Sequence, residues 1–389
     1  MSLRETDDPL PMTELVGTVV AVQANFYQVQ LDVQTISPPE TMLLCTRRSL
    51  LKKMGQQVMV GDQVLVVEPD WSGKRGAIAQ VFPRKTELSR PPIANANQIL
   101  LVFAIAEPQL EATALSRFLV KAESTGLQVC LGLNKCDLVS TDELLEWRDR
   151  LLNWGYQAIF MSVSQGLEYT INSDHQILQK SLFQAENSFE EKTLLHQLQD
   201  KTTVISGPSG VGKSSLINQL IPTINLRVGS VSGKLGRGRH TTRHVELFQL
   251  PTGGLLADTP GFNQPELQCE PQELVNYFPE AKHRFQQGNC QFSDCLHRDE
   301  PNCIVRGDWE RYPIYLDFLE AAIAYQEALQ QQRDVETNVK SKMKSGGKQQ
   351  LEPKLASKKY RRSSRRFQHQ TLQDLCEDFN EEEKESLNF

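Results

Sequence analysis

Residues 207–214, Gly-Pro-Ser-Gly-Val-Gly-Lys-Ser, have the spacing G-x-x-x-x-G-K-[ST] that holds phosphate groups. Glycines let successive backbone N–H groups curl round an anion, and the amino end of a following helix adds positive potential. In such a loop Gly207, Pro208, Ser209, Gly210, Val211, Gly212 and Ser215 surround the phosphates. Lys213 reaches the β- and γ-phosphates as a catalytic cation, and the Ser214 hydroxyl is placed to bind Mg²⁺. The loop does not separate ATP from GTP. Asn134-Lys135-Cys136-Asp137 makes that choice, because a carboxylate at the fourth position accepts from the N1–H and 2-amino groups of guanine, and adenine offers neither in that arrangement. Asn134 would tie this segment to the phosphate loop, and the Lys135 stem would cover one face of the base. Met161-Ser162-Val163 ends the next apolar run, where a backbone N–H can meet the guanine oxygen.

A third element, Asp258-Thr259-Pro260-Gly261, follows the apolar run GGLLA. Asp258 is expected in the Mg²⁺ shell through water, and the Gly261 N–H is expected to sense the γ-phosphate. Between the loop and this element lies GKLGRGRHTTR, residues 233–243, a basic, glycine-rich segment with the character of a switch. Thr241 or Thr242 supplies a second Mg²⁺ ligand there. Phe262 stands where a water-orienting glutamine would follow Gly261, and a phenyl ring cannot hold a water. Either unaided hydrolysis is slow or another residue serves; His240 is the candidate catalytic residue, the competing reading being an RNA-facing side chain. The base-recognition element precedes the phosphate loop, the reverse of the ordinary order.

Cys290-x4-Cys295-x-His297-x5-Cys303 places three thiolates and an imidazole within fourteen residues. That donor set closes a tetrahedral Zn²⁺ site with no open position, hence a structural one. The bland alternative is a set of ordinary free cysteines.

These side chains need a framework. Residues 15–88 read as about five short strands separated by Gly17, SPPE, VGD and WSGKRG, a small barrel of the OB type, with an SH3-like barrel the alternative. Residues 1–14 are an amino-terminal extension. From QILLVFAIAEP onward, continuous apolar runs alternate with helical stretches, as in a parallel α/β sheet buried on both faces, which gives a nucleotide-binding domain over 89–268. Residues 168–193 are polar and read as an inserted surface loop or helix. A metal-binding domain finished by helices spans 269–335. In the remainder, 336–389, residues 340–369 hold eleven Lys or Arg against Glu352, and 370–389 hold seven acids against Lys384, a pattern expected of disorder. The net charge of −6 therefore hides a basic block suited to nucleic acid. No apolar run is long enough to span a membrane, and MSLRETDDPLPM lacks the apolar centre of a secretory signal. The sequence reads as a cytoplasmic, multidomain chain in which nothing demands more than a monomer.

The motif order resolves once the ends of an ordinary nucleotide-binding domain are joined and the chain is cut elsewhere. In this the chain resembles the circularly permuted GTPases of ribosome assembly, the RsgA (YjeQ) family. The likeness covers about residues 12–330 through VGD, ELSRPPIAN, NKCD, GPSGVGKSSLIN, GRGRHTTR and DTPGF. It implies an amino-terminal OB barrel, a central permuted P-loop GTPase domain and a carboxy-terminal zinc domain with helices. It further implies binding of GTP and GDP and of the small ribosomal subunit and its rRNA late in maturation. Hydrolysis would be stimulated by the subunit, and release after hydrolysis would make the protein a checkpoint. Members of this family carry a histidine at the position of His240 and zinc ligands in the spacing of Cys290 to Cys303. The 340–369 block departs from the family's compact end; sequence-independent phosphate affinity through counterion release is the functional reading of it. Two rivals remain: a GTP-gated RNA-binding or scaffold protein with incidental turnover, which Phe262 favours, and a P-loop ATPase, which Asp137 disfavours.

Overall fold

Alternating burial along Leu15–Gln23 (β1), Phe26–Leu31 (β2), Met42–Arg47 (β3), Gln63–Asp70 (β4) and Arg75–Val81 (β5) turns one side of each strand inward. The computed structural model describes residues 15–32, 42–89, 91–172, 175–183, 193–222, 224, 245–258, 269–336, 339–343 and 349–353. β1–β2, β2–β3, β5–β4 and β4–β1 pair antiparallel and β3–β5 parallel, so the five strands close into a barrel-like sheet. Val19, Val29, Cys45, Val64, Val66 and Ile78 fill it. A short helix, Ser49–Lys53 (α1), follows β3.

A buried ion pair ties the barrel to the segment after β5. Asp62 is fully buried and receives Arg84 Nε at 2.7 Å and a second guanidinium N–H at 3.0 Å, together with the Met59 N–H at 2.8 Å. Removing one partner of such a pair strands a buried charge, a loss of about 3–5 kcal/mol. Glu87–Ser89 (β6) and Pro92–Ala94 (β7) form a small hairpin beyond it, and Asn95 Nδ2 donates to Gly61 O at 2.9 Å. The VGD and PPIAN motifs are thus the two halves of this joint.

Gln98–Ala104 (β8) is buried at all seven positions. Ile99, Leu101 and Phe103 face a core with Ala112–Glu123 (α2) and Thr141–Asn153 (α3), while Leu100, Val102 and Ala104 face the opposite core. Gln128–Asn134 (β9) and Ala158–Ser162 (β10) continue the sheet in parallel. Ser140 caps α3 by accepting from the Glu143 N–H at 3.3 Å. Where the sequence suggests a surface loop or helix over 168–193, Leu167–Ile171 (β11) and Ile177–Ser181 (β12) instead extend the sheet edge as an antiparallel hairpin. Its polar composition suits that edge position: Gln179 and Lys180 lie on a strand that needs only one apolar side, buried Glu168 accepts from the Leu194 N–H at 3.1 Å, and Asn172 Oδ1 accepts from the Gln176 N–H at 2.8 Å to close the turn.

Leu194–Leu198 (α4) leads into Thr202–Ser206 (β13), Lys213–Leu220 (α5), Glu246–Gln249 (β14) and Leu255–Asp258 (β15). In space the strands run β12-β11-β10-β9-β8-β13-β15-β14, and β14 then meets β1 of the barrel. α4 and α5 supply the core on the face opposite α2 and α3.

Pro279–Phe285 (α6) and the start of Tyr312–Glu336 (α7) pack round Phe278, Trp309, Tyr315 and Phe318. Fully buried Arg311 fixes this layer to the sheet domain: its Nε donates to Glu280 Oε1 at 2.6 Å, and its guanidinium lies 4.8 Å from the Trp154 ring and 5.0 Å from Phe278. A second unit begins at Ala324. There Val339–Met343 (β16) and Gln349–Pro353 (β17) pair antiparallel, a hairpin within the span whose charge pattern reads as disordered. Among the described residues no helix is long and apolar enough to cross a membrane.

Candidate functional site

The carboxyl ends of β9, β10, β13 and β15 lie on one edge of the sheet, because these strands run parallel from β10 across β9 and β8 to β13 and β15. Ligands of open α/β sheets bind at that edge, where the chain order of the strands changes. Asn134 ends β9 there, nearly fully buried, and unites three segments. Its Nδ2 donates to Val211 O of the phosphate loop at 2.8 Å, and its Oδ1 accepts from the Val163 N–H beyond β10 at 3.0 Å. Sequence positions 134, 163 and 211 therefore form one site whatever their order along the chain.

The phosphate loop turns from β13 into α5. Gly212, at φ +100°, starts the helix, and a methyl there would overlap the Asn134 amide. Lys213 Nζ donates to Gly207 O at 2.8 Å and Pro208 O at 2.6 Å, holding its charge over the loop. Asp258 ends β15 beside Ile205 of β13. In the base-recognition segment Lys135 adopts a left-handed backbone (φ +63°) and Cys136–Leu138 form one 3₁₀ turn. Cys136 packs inward, its Sγ directed to Leu133 O at 3.2 Å, and burial pushes its thiol up to about 12. Asp137 Oδ1 is buried with no hydrogen-bond partner among the described residues. An uncompensated carboxylate oxygen is costly, and one of the two N–H donors on the edge of guanine would satisfy it.

Cys290, Cys295, His297 and Cys303 place one donor atom each within 4.8 Å of one another. Cys290 Sγ lies 3.8 Å from Cys303 Sγ, and His297 Nδ1 lies 3.5, 3.4 and 3.3 Å from the sulfurs of Cys290, Cys295 and Cys303. A tetrahedral ion with Zn–S bonds of about 2.3 Å sets its sulfurs about 3.8 Å apart and its nitrogen slightly closer. The donors fit that ion. Supporting contacts hold the loop: Glu300 accepts from the Leu296 and Arg298 N–H groups at 2.8 and 2.7 Å, and the Tyr315 and Tyr312 hydroxyls donate to Leu296 O and His297 O. Burial lowers the His297 pKa, which favours the neutral imidazole that a metal requires.

The model of the RsgA GTPase family matches residues 81–181 and 170–268. A Trichormus variabilis protein, "Small ribosomal subunit biogenesis GTPase RsgA", is 60% identical over 383 residues, covering 94% of this chain and 98% of that one. The chain belongs to the RsgA GTPase family. Two solved structures agree with this RsgA assignment. YjeQ from Thermotoga maritima is 29% identical with a TM-score of 0.63, covering 80% of this chain and 99% of its own. YloQ, described as a circularly permuted GTPase, is 28% identical with a TM-score of 0.61, covering 83% and 99%.

Within this RsgA chain, several sequence-predicted residues lie outside the described ones: His240, Thr241, Thr242 and Gly261, with Thr259, Pro260 and Phe262. Of the backbone N–H groups in Met161-Ser162-Val163, the stretch expected to meet the guanine oxygen, that of Val163 is engaged by Asn134 Oδ1 and so orients Asn134. Ser162 turns inward to its neighbours, accepting from the Gln165 N–H at 3.3 Å. Sequence reasoning missed the contact of Lys135 Nζ with Glu107 O, made across 28 residues. A cavity of about 790 Å³, lined by residues that include Gln128, Tyr156, Glu168 and Lys180, touches none of the site residues.

Gly207, at φ +143°, tests the loop. A methyl there would overlap the Val102 carbonyl oxygen in a backbone conformation that side chains rarely adopt. Gly207→Ala is expected to lose at least about 2 kcal/mol of stability and most GDP binding, read by urea unfolding and nucleotide titration. A variant that unfolds and binds like the parent would contradict this packing.

Proposed function

We propose that this chain hydrolyses GTP in the biogenesis of the small ribosomal subunit, binding the subunit and its rRNA late in maturation and turning over faster when bound. The observation that carries the nucleotide half is the buried Asp137 oxygen, without a partner among the described residues, beside the Asn134 bridge to the phosphate loop. The ribosomal half rests on the family, whose named relatives act in that process.

In this reading Asn134, Lys135, Cys136 and Asp137 hold guanine, with Ser162 and Val163 behind them. Residues Gly207 to Ser215 hold the phosphates. Bound Mg²⁺ would supply charge neutralisation at the phosphates, and the residues that would hold it are Ser214, Asp258 and Thr241 or Thr242. Gly261 senses the γ-phosphate and His240 orients the attacking water. Cys290, Cys295, His297 and Cys303 hold zinc. The barrel is of OB type, supported by the closed order β1-β2-β3-β5-β4 with its one parallel pair, and it contacts rRNA together with the zinc domain. Transmission from barrel to site has a path, since β14 pairs on one side with β1 (Ala21 opposite Glu246) and on the other with β15 (Glu246 opposite Asp258).

A second reading, a GTP-gated binding protein with incidental turnover, is favoured by Phe262 at the water-orienting position. Phosphate release from GTP, with ATP as control, decides between them when measured with and without purified small subunits. The expected result is a low rate raised at least about tenfold by the subunit, and a stimulated rate that His240→Ala lowers about 10²-fold or more without loss of GTP affinity, as for a positioned general base. Truncation at about residue 336 should weaken subunit affinity and flatten its salt dependence. No stimulation with GTP still bound selects the second reading.

A further inference from the structure

Lys135 is the side chain expected to lie against a face of guanine, and a lysine stem is flexible enough to lie anywhere. In this structure it is tethered at both ends. Its Cα sits in the left-handed backbone that opens the Cys136–Leu138 turn, and its Nζ donates to the main-chain carbonyl of Glu107. Glu107 belongs to a tight turn, Ala106–Gln109, following β8. Both ends of that turn are anchored: Ile105 and Leu110 are buried in the same core, the Leu110 N–H donates to Ile105 O at 3.2 Å, and the Ile105 N–H donates to Asn134 O at 3.0 Å. Glu107 itself has φ +52°, an uncommon conformation for a residue other than glycine. A turn held in a costly backbone conformation, pinned to the guanine-recognition strand and presenting a carbonyl to the base-covering lysine, is a positioning device.

We propose that the Ala106–Gln109 turn is a positioning element of the guanine site, its Glu107 carbonyl fixing the Lys135 stem flat before the nucleotide arrives. The turn acts on the nucleotide through Lys135 alone. Ordering a long side chain in advance removes that entropy from binding, and one immobilised side chain of this kind changes affinity by about three- to tenfold. The effect must be confined to ligands that carry the base.

The inference rests on the guanine-nucleotide reading, and the experiment keeps the two separable. GDP dissociation rates and pyrophosphate affinity are measured on the full chain, on Lys135→Met, on Glu107→Val and on the double variant. Methionine keeps the apolar stem and removes the anchored ammonium; a β-branched residue at φ +52° opens the turn. Each single variant is expected to release GDP about three- to tenfold faster with pyrophosphate affinity unchanged, and the double variant no faster than Lys135→Met alone. Multiplying effects, a Lys135→Met rate equal to the parent's, or equal losses for GDP and pyrophosphate would overturn the proposal. Should Glu107→Val fail to fold, Lys135→Met against the two ligands still decides it. A parent protein that binds pyrophosphate and not GDP would sink the guanine reading itself.

Discussion

Asp137→Asn is expected to lower GDP affinity by about 10²–10⁴-fold and to create binding of xanthosine diphosphate. In the proposed site the carboxylate would accept from two guanine donors, and each hydrogen bond to a charged group contributes about 1.5–3 kcal/mol. Asparagine accepts at one atom and donates at the other. Xanthine matches that pattern, since it keeps the N1–H and carries a carbonyl where guanine has its amino group. The neighbouring geometry should survive, because Asn134, not Asp137, makes the contacts to Val211 and Val163. The environment sets the size of the effect: Asp137 Oδ1 is already out of solvent and without a partner among the described residues, so water cannot rescue a mismatched base. Equilibrium titration with GDP, XDP and ADP checks it. Retained GDP affinity would place the base elsewhere, and a gain in ADP affinity would revive the ATPase reading that Asp137 argues against.

How much of the molecule is legible from sequence depends on the range of the interaction concerned. The phosphate loop can be read because phosphate chemistry dictates glycines, a lysine and a hydroxyl within eight neighbouring positions. β8 can be read because a strand covered on both faces has no polar alternation to hide it. The permuted order is legible too, and the sheet supplies its physical basis. β8 lies beside β13 although β9 to β12 come between them along the chain, so motif order and spatial order are independent. The features that escape involve partners far apart in sequence. Nothing local marks Asp62 as the partner of Arg84, or Arg311 as a buried cation held by Glu280 and three aromatic rings. The β11–β12 hairpin escapes because an edge strand needs only a thin apolar side, which its Glu, Lys and Gln residues conceal. The engagement of the Val163 N–H by Asn134 Oδ1 escapes for the same reason, since that acceptor is a side chain 29 positions away.

Removing the metal from the Cys₃His cluster should unfold the carboxy-terminal layer while leaving the nucleotide site assembled. Between α6 and α7, residues 286–311 form neither helix nor strand, and few of their side chains reach the core. An ion joining Cys290, Cys295, His297 and Cys303 would stand in for the missing core, and a structural zinc site of this kind contributes about 10–16 kcal/mol in isolated fingers. Loss of the ion would free the loop that carries Glu310 and Arg311, whose contacts with Trp154 hold the layer against the sheet domain. The nucleotide elements depend on a different core, that of Leu100, Val102, Ile205, Leu216 and Ile217, which the loop does not enter. Elemental analysis is therefore expected to find one zinc per chain. Chelation or Cys303→Ser should abolish the carboxy-terminal unfolding transition and expose Trp309, now buried, to fluorescence quencher, with GDP affinity changed less than about threefold because its site keeps its own packing. Cys269→Ser, outside the cluster, serves as the control and should retain the metal. A zinc-free protein with unchanged unfolding would reduce the cluster to four side chains that merely lie close together, and a simultaneous loss of GDP binding would mean that the two cores are coupled through Arg311 more tightly than their separate packing implies.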